Sequence, residues 1–574
     1  MDRDELKDLI KKAKGQEKPE LVLKNLNLIN VFTKEIIKTN VAIDKGKVVG
    51  IGDYQGESEE DLEGKFLAPG FIDAHVHIES SMSTPSQFAR AVMPHGVTSV
   101  VADPHEIANI KGLEGIKYMI EDSIGSPLDV YFVFPSCVPA TPFENAGAIL
   151  NAPSIEGQID GKYIIGLGEM MNFTGLINQD SDVLDKLIIG RDFIIDGHGP
   201  MLKDKDLNAY VAGGIKTDHE CSSPQEMVDR LRLGMYILIR EGSAARDLEK
   251  LIGGVNKDNL SRILFCTDDK HPQDLLEEGT IDYNIKLAIK AGLSPLDAIT
   301  IATLNPAICY RLKDKGAIAP GYDADLVVID NLEDFNIERV YKKGRLVAEN
   351  YKPLFNSRPY LPAYMEKSVQ LKDFSIEKLQ IPMKSEYARV IKVLPHSLVT
   401  DSTRKKVKVE NGYFQYSNED ILKLAVIERH KRTGNVGLGL IEGLGLKNGA
   451  IGSTIAHDSH NIIVAGDNDR DIIRVVEELV KIGGGIAIAS QGKILKSLSL
   501  EVGGILTTRP IEETGKILDE MLAISYNVLK INKDIDPFMT LSFMGLPVIP
   551  KLKVTDMGLF DVEKFEFTKV EAEE

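Results

Sequence analysis

Two histidines one residue apart close an apolar run in "PGFIDAHVHIESSM", residues 69–82. In a strand, residues i and i+2 project to one side, about 6.6 Å apart along the chain. His75 and His77 can therefore converge on one ion, although an isolated HxH is equally a polar strand end facing water. Residues of the same chemistry close later apolar runs: Glu169, His198, His219 and Asp268. Every donor is nitrogen or oxygen, a set that suits Zn, Fe or Mn. Six ligands exceed what one tetrahedral ion takes. The pattern implies two divalent ions bridged by a carboxylate, roughly 3.5–4 Å apart.

Such a centre needs elements that bring distant residues to one place. From residue 71 onward, β-rich runs alternate with helical stretches, the signature of a parallel α/β fold. The runs are 71–77, 97–103, 129–134, 163–169, 193–198, 213–219, 235–240 and 262–268. Eight units in about 250 residues predict a TIM-type (β/α)8 barrel over residues 67–316. The C-terminal ends of its strands open onto one face, where the six ligands fall. "SPLDAITIATLNPAICYRL", residues 294–312, reads as one helix with Ser294 as N-cap and Pro295 at the first position.

The flanks read differently. Residues 21–66 alternate apolar and polar, with "DKGK" as a hairpin turn, and short strands return after Gly316. Together 1–66 and 317–380 predict a small composite β-sandwich domain. A charged, proline-containing link, about 352–390, leads to an α+β domain over 391–574. There, "DNDRDIIRVVEELVKIGGG" predicts a helix with Ile472, Ile473, Val476, Leu479 and Val480 on one face, ending at Gly483. "RPIEETGKILDEMLAISYNVL" predicts a second helix with Pro510 near its start. A strand pair before each helix suggests a weak internal duplication.

Composition narrows the function. The 574 residues are 43% hydrophobic and 27% charged, with a net charge of −18. That charge argues against a nucleic-acid partner and fits a small neutral substrate. The charged N-terminus lacks the apolar core of a signal peptide, and no apolar run approaches a membrane span. Cys137, Cys221, Cys266 and Cys309 are scattered without a CxxC, which predicts a reduced, cytoplasmic setting. "HIE" at 77–79 has no downstream PCxxC, "HEIAN" at 105–109 is not HExxH, and neither GxSxG nor a Walker A sequence occurs.

"PGFIDAHVH", "ATLNPA" and "PGYDADLVVID" resemble the amidohydrolase superfamily over roughly residues 20–350. Within it, "HVHIESSM", "ADPHEIAN", "GLGEMMNF", "DGHGP", "TDHECSS" and "FCTDDKHP" resemble adenine deaminases, and "IAHDSHNIIVAG" resembles their C-terminal domain. The resemblance implies hydrolysis of adenine to hypoxanthine and ammonia, in purine salvage, by water activated on two divalent ions, Mn or Fe, with Zn as the further option. Glu169 stands where many superfamily members carry a carboxylated lysine. The same glutamate is similar to that of N-acetylglucosamine-6-phosphate deacetylases, which often use one metal.

On this reading Asp268 shuttles a proton from water to the departing ammonia, and Glu79, Glu106 or Glu220 protonates the ring. His105 and Asp269 are substrate contacts; Asp269 is also the alternative to Asp268 as ligand. His457, Asp458 and His460 either reach the base, hold a further metal, or form a hydrogen-bonded turn. Asp73 either orients a ligand histidine or ends a strand. His271 reads as loop surface, and His95, His396 and His430 as scattered histidines. The rival functions are cyclic amide hydrolysis, N-acetyl amino-sugar deacetylation and a non-catalytic scaffold. A homodimer or higher homo-oligomer is the expected assembly.

Overall fold

Eight parallel strands form the centre of the chain: Phe71–Val76, Val97–Ala102, Asp129–Phe134, Ile164–Met170, Ile194–Gly197, Thr217–Asp218, Tyr236–Arg240 and Ile263–Cys266. The structure is a computed structural model describing residues 2–395, 397–417 and 420–573; His396 lies outside them. The first five strands pair in sequence order, as do the last three. Two seams close the ring. Lys216 N–H donates to the Ile195 carbonyl at 3.0 Å, and Asp268 N–H donates to the His75 carbonyl at 3.0 Å. A parallel bridge joins Val76 to Asp268.

The first two strands are buried at every position, as strands covered on both faces must be. Ile72, Ala74, Val101, Val133, Leu238 and Leu264 fill the barrel interior. Burying each of the isoleucine, valine and leucine side chains contributes about 1.5–3 kcal/mol, which holds the strand ends, and what they carry, in place.

The 294–312 segment is not one helix. It forms Pro295–Ala302 and Leu304–Cys309, broken at Thr303. Pro306 explains the break: it has no N–H to donate, and in a continuous helix its ring would meet the carbonyl of Ala302. Ser294 occupies the N-cap position, but its side chain makes no capping hydrogen bond.

The flanking segments share one nine-stranded sheet around a common apolar core that includes Leu23, Val41, Val48, Leu67, Leu326 and Val328. Phe66–Pro69, just before the barrel, pairs antiparallel with Leu326–Ile329, just after it. The barrel is thus an insertion whose two ends are tied side by side.

The C-terminal region is built on an eight-stranded, mainly antiparallel sheet. Helix Asp469–Ile482 packs on Ala425, Ile462 and Val464. Helix Ile511–Asn527 packs on the opposite face, over Ile486, Ile488 and Leu498. Each helix follows a paired strand couple, Ala450–Ser453 with Ile462–Gly466 and Gly485–Ser490 with Lys493–Ser499, and the two helices sit on opposite faces of one sheet. In the first helix Val475 is buried and Val480 is 40% exposed, so Val480 does not belong to the core face. At 3.6 residues per turn it lies about 80° round the helix from Ile472. Among the described residues no helix is long and apolar enough to cross a membrane.

Candidate metal centre

The strand ends bring six residues to one mouth. His75 lies one residue from the end of the first strand and His77 follows it; Glu169 sits in the fourth. His198, His219 and Asp268 follow the fifth, sixth and eighth. Glu169 lies between the histidines. Its Oε1 is 3.3 Å from His77 Nε2, and its Oε2 is 2.9 Å from His198 Nδ1 and 3.4 Å from His219 Nε2. Opposite, Asp268 Oδ1 is 3.2 Å from His77 Nε2 and 3.7 Å from His75 Nε2. The rings of His75 and His219 stack at 4.3 Å.

These residues fit divalent metal. His77 Nδ1 is 3.0 Å from the Asp103 carbonyl, so that nitrogen carries the proton and Nε2 offers its lone pair inward. His75 Nε2 stands only 3.2 Å from it. Two carboxylates and four imidazoles gathered this closely suit a cation, and an N/O set suits Mn, Fe or Zn. Tyr210 braces the far side: its hydroxyl accepts from His198 N–H and donates to the Met170 carbonyl, both at 2.8 Å.

The three candidate acids have different surroundings. Glu220 forms a two-pronged ion pair with Arg240, whose Nη1 also lies 3.2 Å from Asp268 Oδ2. Glu106 is gripped by His457 Nδ1 on one oxygen and His460 Nε2 on the other, both from the C-terminal domain. Glu79 is buried, with Oε1 accepting from Ile107 N–H at 3.2 Å and Oε2 unpartnered. Burial pushes its carboxyl up to about 7. Of the three, Glu79 alone keeps a buried carboxylate oxygen without a partner. His105 stands between the two groups, with Nδ1 3.4 Å from Glu169 and Nε2 3.5 Å from Glu106. Asp269 accepts from Ser80 Oγ.

The amidohydrolase family model matches residues 66–347, and the adenine deaminase C-terminal domain model matches 397–566. The adenine deaminase of Clostridium acetobutylicum is 48% identical, covering 98% of this chain and 99% of that protein. Adenine deaminase 2 of Carboxydothermus hydrogenoformans is 48% identical with the same coverage, and the adenine deaminase of Geobacillus kaustophilus is 48% identical over 99% of both chains. The chain belongs to the adenine deaminase family.

In this adenine deaminase family member several residues stand elsewhere than their sequence context suggests. His271 is not loop surface: it is half-buried and lines the cavity beside Glu79, Glu106, His457 and His460. The helix that follows it, Pro272–Glu277, turns it inward. His430 is not scattered either. Its Nε2 lies 2.7 Å from the Ser459 carbonyl, inside the turn that carries His457 and His460. His95 pairs with Asp282 at 3.1 Å, remote from the mouth. Asp73 accepts from Thr267 N–H at 3.1 Å and Thr267 Oγ1 at 2.5 Å. It also accepts from His75 N–H at 3.4 Å, and so holds the backbone beside Asp268 and that of the ligand histidine. The turn at 457–460 makes contacts beyond itself, and with Glu106 its donor atoms also converge closely enough to hold a cation. Arg240 was not singled out from sequence. Its signal was its place at the end of the seventh strand, on the face where the ligands fall.

Proposed function

We propose that the chain hydrolyses adenine to hypoxanthine and ammonia at the barrel mouth, with two divalent ions, Mn or Fe, as cofactor. The observation that carries this reading is Glu169 set between histidine pairs from opposite sides of the barrel, with Asp268 facing it. His75, His77 and Asp268 would hold metal on one side of Glu169, and His198 and His219 on the other. Bound divalent metal lowers the pKa of water towards neutrality and so supplies a nucleophile.

The chain's own residues manage the protons. Asp268 accepts a proton from the attacking water and delivers it to the amino group at C6, which leaves as ammonia. Arg240 and Thr267, with Asp73 behind it, hold that carboxylate and its backbone in register. Glu79 donates a proton to the ring nitrogen beside C6, making that carbon more electrophilic, and regains one from the hydroxyl added at C6 as the carbonyl forms and ammonia leaves. His105, Asp269, His457 and His460 contact the substrate, and Glu106 is kept ionised and oriented by the two histidines from the C-terminal domain. Glu220, tied to Arg240, is a positioning residue in this scheme.

The test is ammonia release from adenine by Mn- or Fe-loaded protein, against a chelator-stripped control. Metal-dependent release is expected. Absence of release from the loaded protein overturns the reading and transfers the search to cyclic amides and N-acetyl amino sugars.

A further inference from the structure

The opposite end of the barrel carries a second cleft. Its volume is about 810 Å³, the size of a small-molecule site. One wall comes from two hairpin turns of the nine-stranded sheet, residues 44–47 and 342–345. The other comes from the loop 123–129 and from Lys162 and Tyr163, which precede the third and fourth barrel strands. Strands of six or seven residues separate this cleft from the metal centre by roughly 20 Å.

The two turns are built alike. Each centres on Lys-Gly in the left-handed region: Lys45 at φ 47° with Gly46 at 79°, and Lys343 at φ 47° with Gly344 at 73°. Such turns favour asparagine or aspartate at the first position, whose short polar side chains hydrogen-bond locally, whereas other Cβ-bearing residues are held there at a cost of roughly 1–2 kcal/mol. Backbone geometry thus gives no reason for two lysines. The turns also brace one another, since a Cβ on Gly46 would lie 3.1 Å from the Cβ of Lys343. The wall is preorganised.

Charge around the cleft runs against the rest of the molecule. The chain carries a net −18, yet five basic side chains face this cleft against Glu20 and Asp129. Lys45 is paired with Asp8, and buried Lys342 with Asp129 and Asp325. Lys162, Lys343 and Arg345 are left: among the described residues no carboxylate reaches ion-pair distance of them, all three are exposed, and Lys162 Nζ rests 4.4 Å over the ring of Tyr163 in the same wall. Beside them lies an apolar strip. Ile124 is 66% exposed, and Leu128 and Tyr131 continue the surface inward.

We propose that this cleft binds an organic phosphate of nucleotide size, its phosphate held by Lys162, Lys343 and Arg345 and its remainder lying along Ile124, Leu128 and Tyr131. Three cations without a carboxylate partner match the charge and acceptor oxygens of a phosphate monoester. The apolar strip matches a base or sugar, which inorganic phosphate lacks.

Calorimetric titration of the full chain with adenosine 5′-phosphate, ribose 5-phosphate and inorganic phosphate tests this. One adenosine 5′-phosphate is expected to bind per chain, at least tenfold tighter than inorganic phosphate and weaker as salt rises. Lys343→Ala/Arg345→Ala and, separately, Lys162→Ala are each expected to weaken binding at least tenfold while metal-loaded turnover of adenine and the unfolding midpoint stay unchanged. The two variants lie on opposite walls, so instability of one leaves the other as the test. No binding, or binding indifferent to both variants, overturns the proposal. Equal affinity for inorganic phosphate overturns the assignment to a nucleotide-sized ligand.

Discussion

At the scale of single residues, the account turns on which carboxylates are free to carry protons. Glu106 and Glu220 are each engaged on both oxygens, whereas Glu79 has one oxygen buried and unpartnered. Glu79→Gln keeps the shape and removes the acid. Turnover of adenine is expected to fall by about 10²–10⁴-fold, the usual contribution of a positioned acid, with KM and metal content little changed. A rise in KM at unaltered kcat, measured by steady-state assay, would count against Glu79 as the acid. The strand-end residues were legible because each closes an apolar run, and in the structure all six stand within ligand reach of neighbours. Ser80, Tyr210 and Arg240 were not, because hydrogen-bond partners drawn from separate strands leave no periodic mark on the sequence.

At the scale of elements, alternation of β-rich runs and helical stretches made all eight barrel strands visible in advance. What failed was local. Pro306 divides a stretch whose apolar pattern reads as continuous, and Val480 sits at the rim of a stripe where Val475 belongs. Periodicity reports the direction of a face to within a residue or so; packing decides which residue at its edge goes in. The strand Leu552–Thr555 shows the opposite case, a charge placed where packing alone would put an apolar side chain. Lys553 is fully buried, and the only described hydrogen bond of its ammonium is to the Leu398 carbonyl. Burial lowers its ammonium from the ordinary 10.5 to about 7. Between those pH values the unfolded chain binds a proton that the folded chain does not. Stability therefore rises with pH through that window, by up to roughly 1.4 kcal/mol per pH unit, and levels off below it. Lys553→Met should remove this slope and raise the urea midpoint near pH 7.5; an unchanged slope would show that the folded lysine keeps its charge.

At the scale of the whole molecule, the site belongs to two domains. The barrel supplies the six strand-end residues, and the C-terminal sheet supplies the turn at 457–460 that grips Glu106. The sequence offers this joint only as one of three alternatives for the turn, because nothing local to His457 or Glu106, 351 positions apart, marks them as partners; the tertiary fold makes them neighbours. His457→Ala/His460→Ala leaves a buried carboxylate without its partners. Turnover should drop by about 10–100-fold, the usual effect of losing residues that orient a functional group. Because His75, His77, Glu169, His198, His219 and Asp268 are untouched, metal bound in the barrel should persist. Loss of activity and barrel metal together would instead make the turn part of the same centre.

The most direct test is a titration of chelator-stripped protein with Mn(II), reading ammonia release from adenine at each addition. Glu169 placed between two sets of histidines predicts activity that climbs until two equivalents are bound and then holds level. A plateau at one equivalent, or no release at any metal loading, would contradict a binuclear adenine-deaminating centre.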